Sequence, residues 1–260
     1  SIIMLSIGPT LFSQDSSSDS ANEFVVSFLA GGIQLNPVYS YTSSEAQIYS
    51  GIYEGLVGYH PLTMEPVPAV AESWEISEDG LVYTFNLRRN ARYSDGRQVT
   101  AEDFRETWFR LIDPDAKAAY NFLFDVIDGV REYRAGERSG RDSVGIRAAG
   151  RHTLEVTLRR PATHFLRILC HHAFVPLHPD LRQRDDWSEL TNLPVNGPYR
   201  ILEQSDQHIL LVKNNRYWDA ASVEIPRIRI LLTGEDESAD ITDRFNRGQI
   251  DWVAGGMDLG

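Results

Sequence analysis

The stretch VPAVAESWEISEDGLVYTFNLRRNARYSDGRQVTAEDFRETW, residues 67–108, decides the fold of this chain. Its Asp79-Gly80 pair suits a tight hairpin turn, and the residues after the turn alternate between apolar and polar. The apolar members of that alternation are Leu81, Tyr83, Phe85 and Leu87. A period of two predicts a half-buried strand that pairs through the turn with the segment carrying Trp74 and Ile76.

The same stretch continues into a second turn and a helix. SDG at residues 94–96 marks the turn, and Thr100 with Asp103 has the spacing of a capping box. One face of the helix that starts there is apolar and is predicted to be buried: Phe104, Trp108 and Leu111. No catalytic arrangement is recognisable in the stretch, so we interpret it as scaffold.

Two elements are predicted before this stretch. Alternating apolar residues predict a strand in NEFVVSFLAG, residues 22–31. Apolar residues four apart predict a helix in EAQIYSGIYEGLVGY, residues 45–59, ending near Gly55 or Gly58. The residues that carry these patterns are Phe24, Val26 and Phe28 in the strand and Ile48, Ile52 and Leu56 in the helix.

The rest of the chain divides into a hairpin-rich middle and an α/β end. VGIRAAGRHTLEVTL is predicted to be a hairpin turning at Ala149-Gly150, and YRILEQSDQHILLVKN to be another. PATHFLRILCHH is predicted to be a short helix with Pro161 in its first turn. IRILLTGEDESADITDRFNRGQIDWV predicts strand, helix and strand, with Gly248 after the helix and the two strands parallel. This mixture indicates two subdomains.

Composition and charge exclude several classes of function. The chain has 260 residues, with 25 lysines and arginines against 37 acidic residues and a formal net charge of −12. That balance would repel the phosphates of a nucleic acid and disfavours an anionic membrane surface. Cys170 is the one cysteine, which excludes a disulfide framework and a multi-cysteine zinc site.

The first residues have the character of a secretory signal peptide. SIIMLSIGPTLFSQ is apolar but too short to span a bilayer, and the polar run DSSSDSANE follows it. We predict that residues 1–21 are a signal-peptide remnant and polar linker, and that the protein lies in the periplasm or cell envelope. A hydrophobic N-terminal strand or a tag is the alternative.

Catalytic signatures are missing from the sequence. It contains no G-x-S-x-G elbow, H-E-x-x-H motif, P-loop or dinucleotide fingerprint. The densest candidate is CHHAFVPLH, residues 170–178, whose thiol and imidazoles could bind a metal or act as a nucleophile. Adjacent histidines face different sides of a helix, and no carboxylate lies in the stretch, so we favour a helix end with dipole-compatible side chains. We predict no catalytic residue, no metal and no cofactor.

Tyrosines in loop-like segments are the remaining candidates. Tyr39 and Tyr41 lie in NPVYSYTSS, and Tyr120 lies in KAAYNF. Amphipathic rings at such places can line a ligand cleft. Partly buried loop tyrosines are the alternative interpretation.

An ordered series of segments resembles one protein family. In chain order they are YEGLVGY, PVPAVAESWEISEDGLVYTFNLRRNARYSDGRQVTAEDF, RLIDPDAKAAY, HTLEVTLRRP, NGPYRI, VKNNRYWDA and RGQIDWV. They resemble the extracytoplasmic solute-binding proteins of family 5, which serve peptide-importing ABC transporters. DPDAKAAY and GVREYRAGERSGRDSVGIRAAGRHTLEV favour the oligopeptide-binding branch.

The resemblance implies a periplasmic binding protein-like α/β fold (type II, cluster C), a clamshell of two lobes that closes over its ligand. Lobe I would comprise residues 22–55 and 180–260, and residues 56–179 would form the hairpin-rich accessory subdomain. Family members are considerably longer than this chain. We therefore expect the second lobe to be missing here, in a fragment or a truncated product.

The resemblance also implies a set of ligand-binding residues. The segment before the EGL helix would lie against the peptide through its backbone, at Tyr41, Thr42 and Ser43. Tyr120 would form a packing wall, and His171 occupies a cleft-side position. The segment after IDWV would supply Ala254, Gly255 and Gly256, without the side-chain amide that some relatives have there.

The function implied is binding rather than catalysis. A monomer would bind short, extended peptides mainly through their backbone groups and deliver them to the permease subunits of an ABC importer. One alternative is a different solute on the same fold, such as a nickel chelate, haem or a sugar; a nickel chelate would need His171 and His172 to face the cleft. A truncated relic that acts as an envelope or host interaction module is the other.

Overall fold

The structure is a computed structural model that describes residues 23–29, 33–39, 42–138, 140–182, 184, 187 and 192–254. In that part of the chain the helices are α1 (Ser43–Ile52), α2 (Ala101–Ile112), α3 (Val130–Arg134), α4 (Phe165–Leu169), α5 (Pro179–Arg182) and α6 (Ser238–Asn246). The strands are β1 (Glu23–Leu29), β2 (Val57–Tyr59), β3 (Pro66–Pro68), β4 (Ala71–Ile76), β5 (Val82–Leu87), β6 (Ile146–Gly150), β7 (Thr153–Thr157), β8 (Tyr199–Gln204), β9 (His208–Lys213), β10 (Arg227–Thr233) and β11 (Trp252–Ala254). The predicted signal-peptide segment, residues 1–21, lies outside the described residues, as do Tyr41, Gly255 and Gly256.

One sheet joins the two ends of the described chain. Its strand order is β11-β1-β10-β9-β8. Strand β1 pairs in parallel with both β10 and β11, whereas β9 is antiparallel to both of its neighbours. The predicted strand, helix and parallel strand at the end of the chain are therefore confirmed, and β1 lies between the two strands. Gly248 follows α6 with φ of 70°, a left-handed conformation that glycine adopts at little cost.

A second sheet is antiparallel, with the order β4-β5-β7-β6. The hairpin predicted around Asp79-Gly80 is confirmed, because β4 and β5 pair on either side of it and Gly80 has φ of 71°. Strand β5 alternates as predicted, with Tyr83, Phe85 and Leu87 buried. Strands β2 and β3 form a separate two-stranded pair.

Helix α2 covers the antiparallel sheet, in contact with β6 and β7. The predicted capping interaction is present, since the Asp103 carboxylate accepts the Thr100 N–H at 2.9 Å and the Thr100 hydroxyl at 2.8 Å. The predicted apolar face is fully buried: Phe104, Trp108 and Leu111. The Trp108 ring makes edge contacts with the rings of Phe124 and Phe174.

The buried apolar residues fall into two cores. One core gathers residues of the antiparallel sheet, α2 and α4, with Val38 added from the segment before α1. The other gathers α1, β1, β8, β9 and β10, together with residues between Val175 and Val195. The boundaries predicted for the subdomains, after residues 55 and 179, remain a prediction.

Three predicted boundaries are wrong. Helix α1 ends at Ile52 and not near Gly55 or Gly58. Strand β6 continues to Gly150 through an irregularity, so the hairpin turns at residues 151–152 rather than at Ala149-Gly150. Helix α4 begins at Phe165, so Pro161 lies before its first turn, and the Phe165 N–H bonds the Ala162 carbonyl at 3.0 Å.

Candidate functional site

An open cavity of about 820 Å³ lies where the two cores meet. Tyr49, Tyr53 and Val175 line it from the core of the five-stranded sheet, and Val57 lines it from the core of the antiparallel sheet. The volume is within the range of small-molecule sites. A ligand placed here would contact both packed units.

The N-terminus of α1 forms one edge of the cavity. Thr42 and Ser43 both line it. The Thr42 hydroxyl accepts the Glu45 N–H at 3.2 Å, and the Glu45 carboxylate accepts the Thr42 N–H at 3.1 Å and the Gln34 N–H at 2.9 Å. Because Glu45 is only 4% exposed, these bonds are shielded from water and hold the edge in place.

The chain beyond α1 is fixed by a segment that crosses beneath it. The Gly197 N–H donates to the Ile52 carbonyl at 2.9 Å. The Asn196 side chain accepts the Glu54 N–H at 3.2 Å and donates to the Glu54 carbonyl at 2.8 Å. These bonds satisfy backbone groups that a longer helix would have used, which explains why α1 ends at Ile52.

Glu54 is the acidic residue at this wall of the cavity. Its carboxylate accepts hydrogen bonds from the Tyr217 hydroxyl and, at 2.6 Å, from the Trp218 indole N–H. The Arg88 guanidinium lies 3.7 Å above the centre of the Trp218 ring. Burial raises the pKa of Glu54 to about 7, although both hydrogen bonds and Arg88 act to lower the pKa.

Another part of the cavity lining is a cluster of rings, here called the ring wall: Tyr120, His171 and His172. The Tyr120 ring lies 4.5 Å from that of His171 and 5.3 Å from that of His172, and the two imidazoles stack at 4.2 Å. The His171 Nδ1 accepts the Ala173 N–H at 3.1 Å. Burial lowers the pKa of His171 and lowers that of His172 to about 4, where neighbouring His171 adds to the effect. Both imidazoles of the ring wall are therefore uncharged near neutral pH.

The structure places the predicted site residues unequally. Thr42, Ser43, Tyr120 and His171 all line the one cavity. Ala254 lies on β11, where it pairs with Phe28 of β1, and is not among the residues that line the cavity. The predicted Tyr39 packs against the core of the antiparallel sheet.

The histidine-rich stretch does not form a metal centre in the described residues. Cys170 and His171 line the cavity, but the buried His178 lies elsewhere, with its Nε2 3.2 Å from the Asp95 carboxylate. Burial raises the pKa of Cys170 to about 11, so its thiol is protonated at neutral pH and is a poor nucleophile. Within the described part of the chain, no group of three potential ligands is arranged to hold an ion.

Sequence reasoning missed several residues of the cavity. Tyr53 and Glu54 lie in the segment YEGLVGY and Tyr217 lies in VKNNRYWDA, but the sequence pattern assigns none of them a role. Glu54 meets Trp218 across 164 positions of sequence. The available signal was an acidic residue between a tyrosine and a glycine near the end of a predicted helix, with no local partner.

Glu54→Gln is expected to change how stability depends on pH. The pKa of Glu54 rises from 4.5 to about 7 on folding, so the folded protein loses stability as pH rises from about 4.5 to about 7. Glutamine does not titrate, so the variant does not undergo this loss. The melting temperature of the variant minus that of the unmodified protein should therefore be about 3–6 °C higher at pH 8 than at pH 5.

Thermal unfolding followed by circular dichroism at the two pH values measures this difference. His172 has a lowered pKa and acts in the opposite direction, but it is present in both proteins and cancels. Glu72→Gln, at an exposed position of β4, is the matched control. A difference for Glu54→Gln that stays constant across pH would contradict the prediction.

These features are typical of a ligand-binding protein: a cavity between two hydrophobic cores, a capped helix at its edge and a wall of neutral imidazole and tyrosine rings. Comparisons with known proteins agree. The family described as bacterial extracellular solute-binding proteins, family 5 Middle, matches residues 65–258. The periplasmic oligopeptide-binding protein OppA of Salmonella typhimurium is 33% identical over 222 residues, which cover 83% of this chain and 40% of OppA.

Solved structures show the same similarity. The Escherichia coli murein tripeptide binding protein MppA aligns with a TM-score of 0.80 at 29% identity, over 88% of this chain and 45% of MppA. Listeria monocytogenes OppA bound to peptide aligns with a TM-score of 0.79 at 26% identity, over 88% of this chain and 46% of that protein.

The chain belongs to family 5 of the bacterial extracellular solute-binding proteins. It spans less than half the length of the relatives described above. The predicted family is confirmed, and so is the predicted periplasmic binding protein-like α/β fold, of which this chain provides a part.

Proposed function

We propose that this protein is the substrate-binding component of a peptide ABC importer and that it binds short peptides in an extended form. The observation that carries the proposal is the cavity between the two cores, in a chain that aligns with a relative solved with bound peptide. A receptor for peptides of many sequences has to bind what they share, and main-chain N–H and C=O groups are that shared feature. Catalysis forms no part of the proposal.

The positions of Thr42, Ser43, Tyr120 and His171 at the cavity support four of the proposed contacts, and the family resemblance alone supports the others. Thr42 and Ser43, at the edge of the cavity, bind the peptide main chain, together with Tyr41, Ala254, Gly255 and Gly256. Tyr120 and His171 pack against its side chains, and water fills the space that smaller side chains leave. A second lobe would close over the ligand in a hinge motion that the ligand stabilises.

The proposed setting is the periplasm or cell envelope, where a monomer meets the permease subunits of the importer. The location given in the name of the Salmonella relative supports this setting. None of the helices in the described part of the chain is long and apolar enough to cross a membrane.

Isothermal titration calorimetry with mixed tripeptides to pentapeptides tests the proposal. The protein at its natural length should bind at least one of these mixtures with a dissociation constant in the micromolar range or tighter. Free amino acids at matched concentration are the control, because they lack the main-chain amides that the proposal requires. Absence of heat with every peptide length would defeat the peptide-binding function.

A further inference from the structure

The ring wall has open aromatic surface on the side of the cavity. Tyr120, His171 and His172 are partly exposed and all line the cavity, while the buried Tyr49 supports the His172 ring from 5.3 Å. Phe122 is 56% exposed, and its ring lies 6.3 Å from that of Tyr120. The aromatic surface therefore extends outward past Tyr120.

The rest of the cavity offers little charge. Among the described residues that line it there is no lysine or arginine. Glu54, its acidic residue, already accepts hydrogen bonds from Tyr217 and Trp218. Burial raises the pKa of Tyr53, Tyr59 and Cys170, so these groups are neutral at physiological pH. Glu54 is the one potential counter-charge among the described lining residues, and both of its carboxylate oxygens are already bonded to Tyr217 and Trp218.

The physical consequence is discrimination between side chains. A lysine or aspartate side chain placed against the ring wall would lose hydration without gaining an ion pair, which is unfavourable. A phenylalanine, tyrosine or tryptophan side chain would instead bury apolar area and gain edge or offset contacts with the rings.

We propose that the ring wall binds an uncharged aromatic side chain of the ligand, so that one position of the peptide is selected for an aromatic residue. The proposal rests on the proposed function, since it specifies the peptide chemistry that the same cavity takes. It predicts that the affinity depends on the side chain at one position of the peptide and is nearly independent of the side chains at the other positions.

A scan of synthetic peptides tests the proposal. In an alanine tetrapeptide, each position in turn is replaced by Phe, Lys or Asp, and dissociation constants are measured calorimetrically with the protein at its natural length. At one position Phe should bind about ten-fold tighter than Ala, and Lys and Asp should bind more weakly than Ala there. Equal affinity at every position would overturn the aromatic preference and leave the peptide-binding function intact.

Two further outcomes separate the hypotheses. Tighter binding of Lys than of Phe at the selected position would overturn the proposal in favour of a cation site. Failure of every peptide to bind would overturn the peptide-binding function itself, and the aromatic preference with it.

Variants locate the preference in the ring wall. Tyr120→Leu should reduce the ratio of Phe-peptide to Ala-peptide affinity by about five-fold. Phe245→Leu is the matched control, because Phe245 is an exposed aromatic residue of α6 that does not line the cavity, and it should leave the ratio unchanged. An unchanged ratio in Tyr120→Leu would overturn the assignment to the ring wall.

Discussion

Replacing Gly197 by alanine should lower the free energy of unfolding by about 3 kcal/mol, at the upper end of the usual range for overpacking, because the added methyl group would meet rigid backbone. A Cβ atom at this position would lie 2.5 Å from the Ile52 carbonyl carbon, 2.7 Å from the Tyr53 nitrogen and 2.8 Å from the Ile52 oxygen. All three are backbone atoms, so no side-chain rotation can relieve the contact. The segment that contains Gly197 would have to move away from the Ile52–Tyr53 backbone, and the Gly197 N–H would lose its hydrogen bond to the Ile52 carbonyl.

Urea denaturation followed by circular dichroism measures this loss, and Gly234→Ala is the matched control. A Cβ at Gly234 would meet no atom within 4 Å, and neither glycine has a left-handed φ, so the control should stay within about 0.5 kcal/mol. The Gly197 variant should also lose peptide affinity, because Tyr53 and Glu54 would shift at the cavity wall. Equal stabilities of the two variants would show that the crossing is not tightly packed.

Trp108→Ala is expected to cost about 4–5 kcal/mol, at the upper end of the range for buried aromatic residues. The Trp108 side chain is fully buried and contacts the rings of Phe104, Phe124 and Phe174. Its indole N–H also donates to the Phe174 carbonyl at 3.1 Å. The substitution therefore creates a large cavity and leaves a buried acceptor without its partner. A loss of this size is a large share of the stability of an ordinary domain.

The same denaturation experiment includes two comparison variants. Trp252→Ala removes the same side chain from an edge strand where it is 46% exposed, so it should cost about 1 kcal/mol. Trp108→Phe keeps most of the volume and should fall between the two alanine variants. If Trp108→Ala cost no more than Trp252→Ala, the core around α2 would have to be packed differently from the structure described.

Trp108 also links the core to the ring wall. Its hydrogen-bond acceptor, Phe174, closes the short 3₁₀ turn His172–Phe174. The position of the His172 ring therefore depends on two helices: α2, through the hydrogen bond of Trp108 to Phe174, and α1, through the ring of Tyr49. Loss of stability in Trp108→Ala should therefore be accompanied by weaker peptide binding in whatever fraction remains folded.

Much of the local structure could be predicted from the residues themselves. The alternation of Tyr83, Phe85 and Leu87, the glycine turn before it and the Thr100–Asp103 cap all depend on neighbours within a few positions. Such signals persist in the fold because each is a short-range preference that the packing does not oppose. The errors lie at element ends, where α1 stops early because Asn196 and Gly197, far along the chain, satisfy the backbone beyond Ile52.

The candidate site was predictable only in part. Thr42, Ser43 and His171 came from a family resemblance, Tyr120 came both from that resemblance and from its loop-like segment, and all four line one cavity. The signal at Glu54, an acidic residue without a local partner, could not be interpreted, because its partner Tyr217 lies far along the chain. Ala254, also taken from the resemblance, lies on the edge strand β11 apart from the cavity walls.

By itself the sequence determined the strands of the two larger sheets, their hairpins, the capped helix and the parallel unit at the end of the chain, but not the β2–β3 pair. Hydrophobic period, caps and turn residues are local properties, and they are sufficient for these elements. Only the tertiary structure decided that Glu54 meets Trp218, that Gly197 lies against Ile52, and that a tyrosine and two histidines share one wall. These contacts join residues far apart in the chain, so they depend on how two separate cores pack against each other, and no local pattern encodes that.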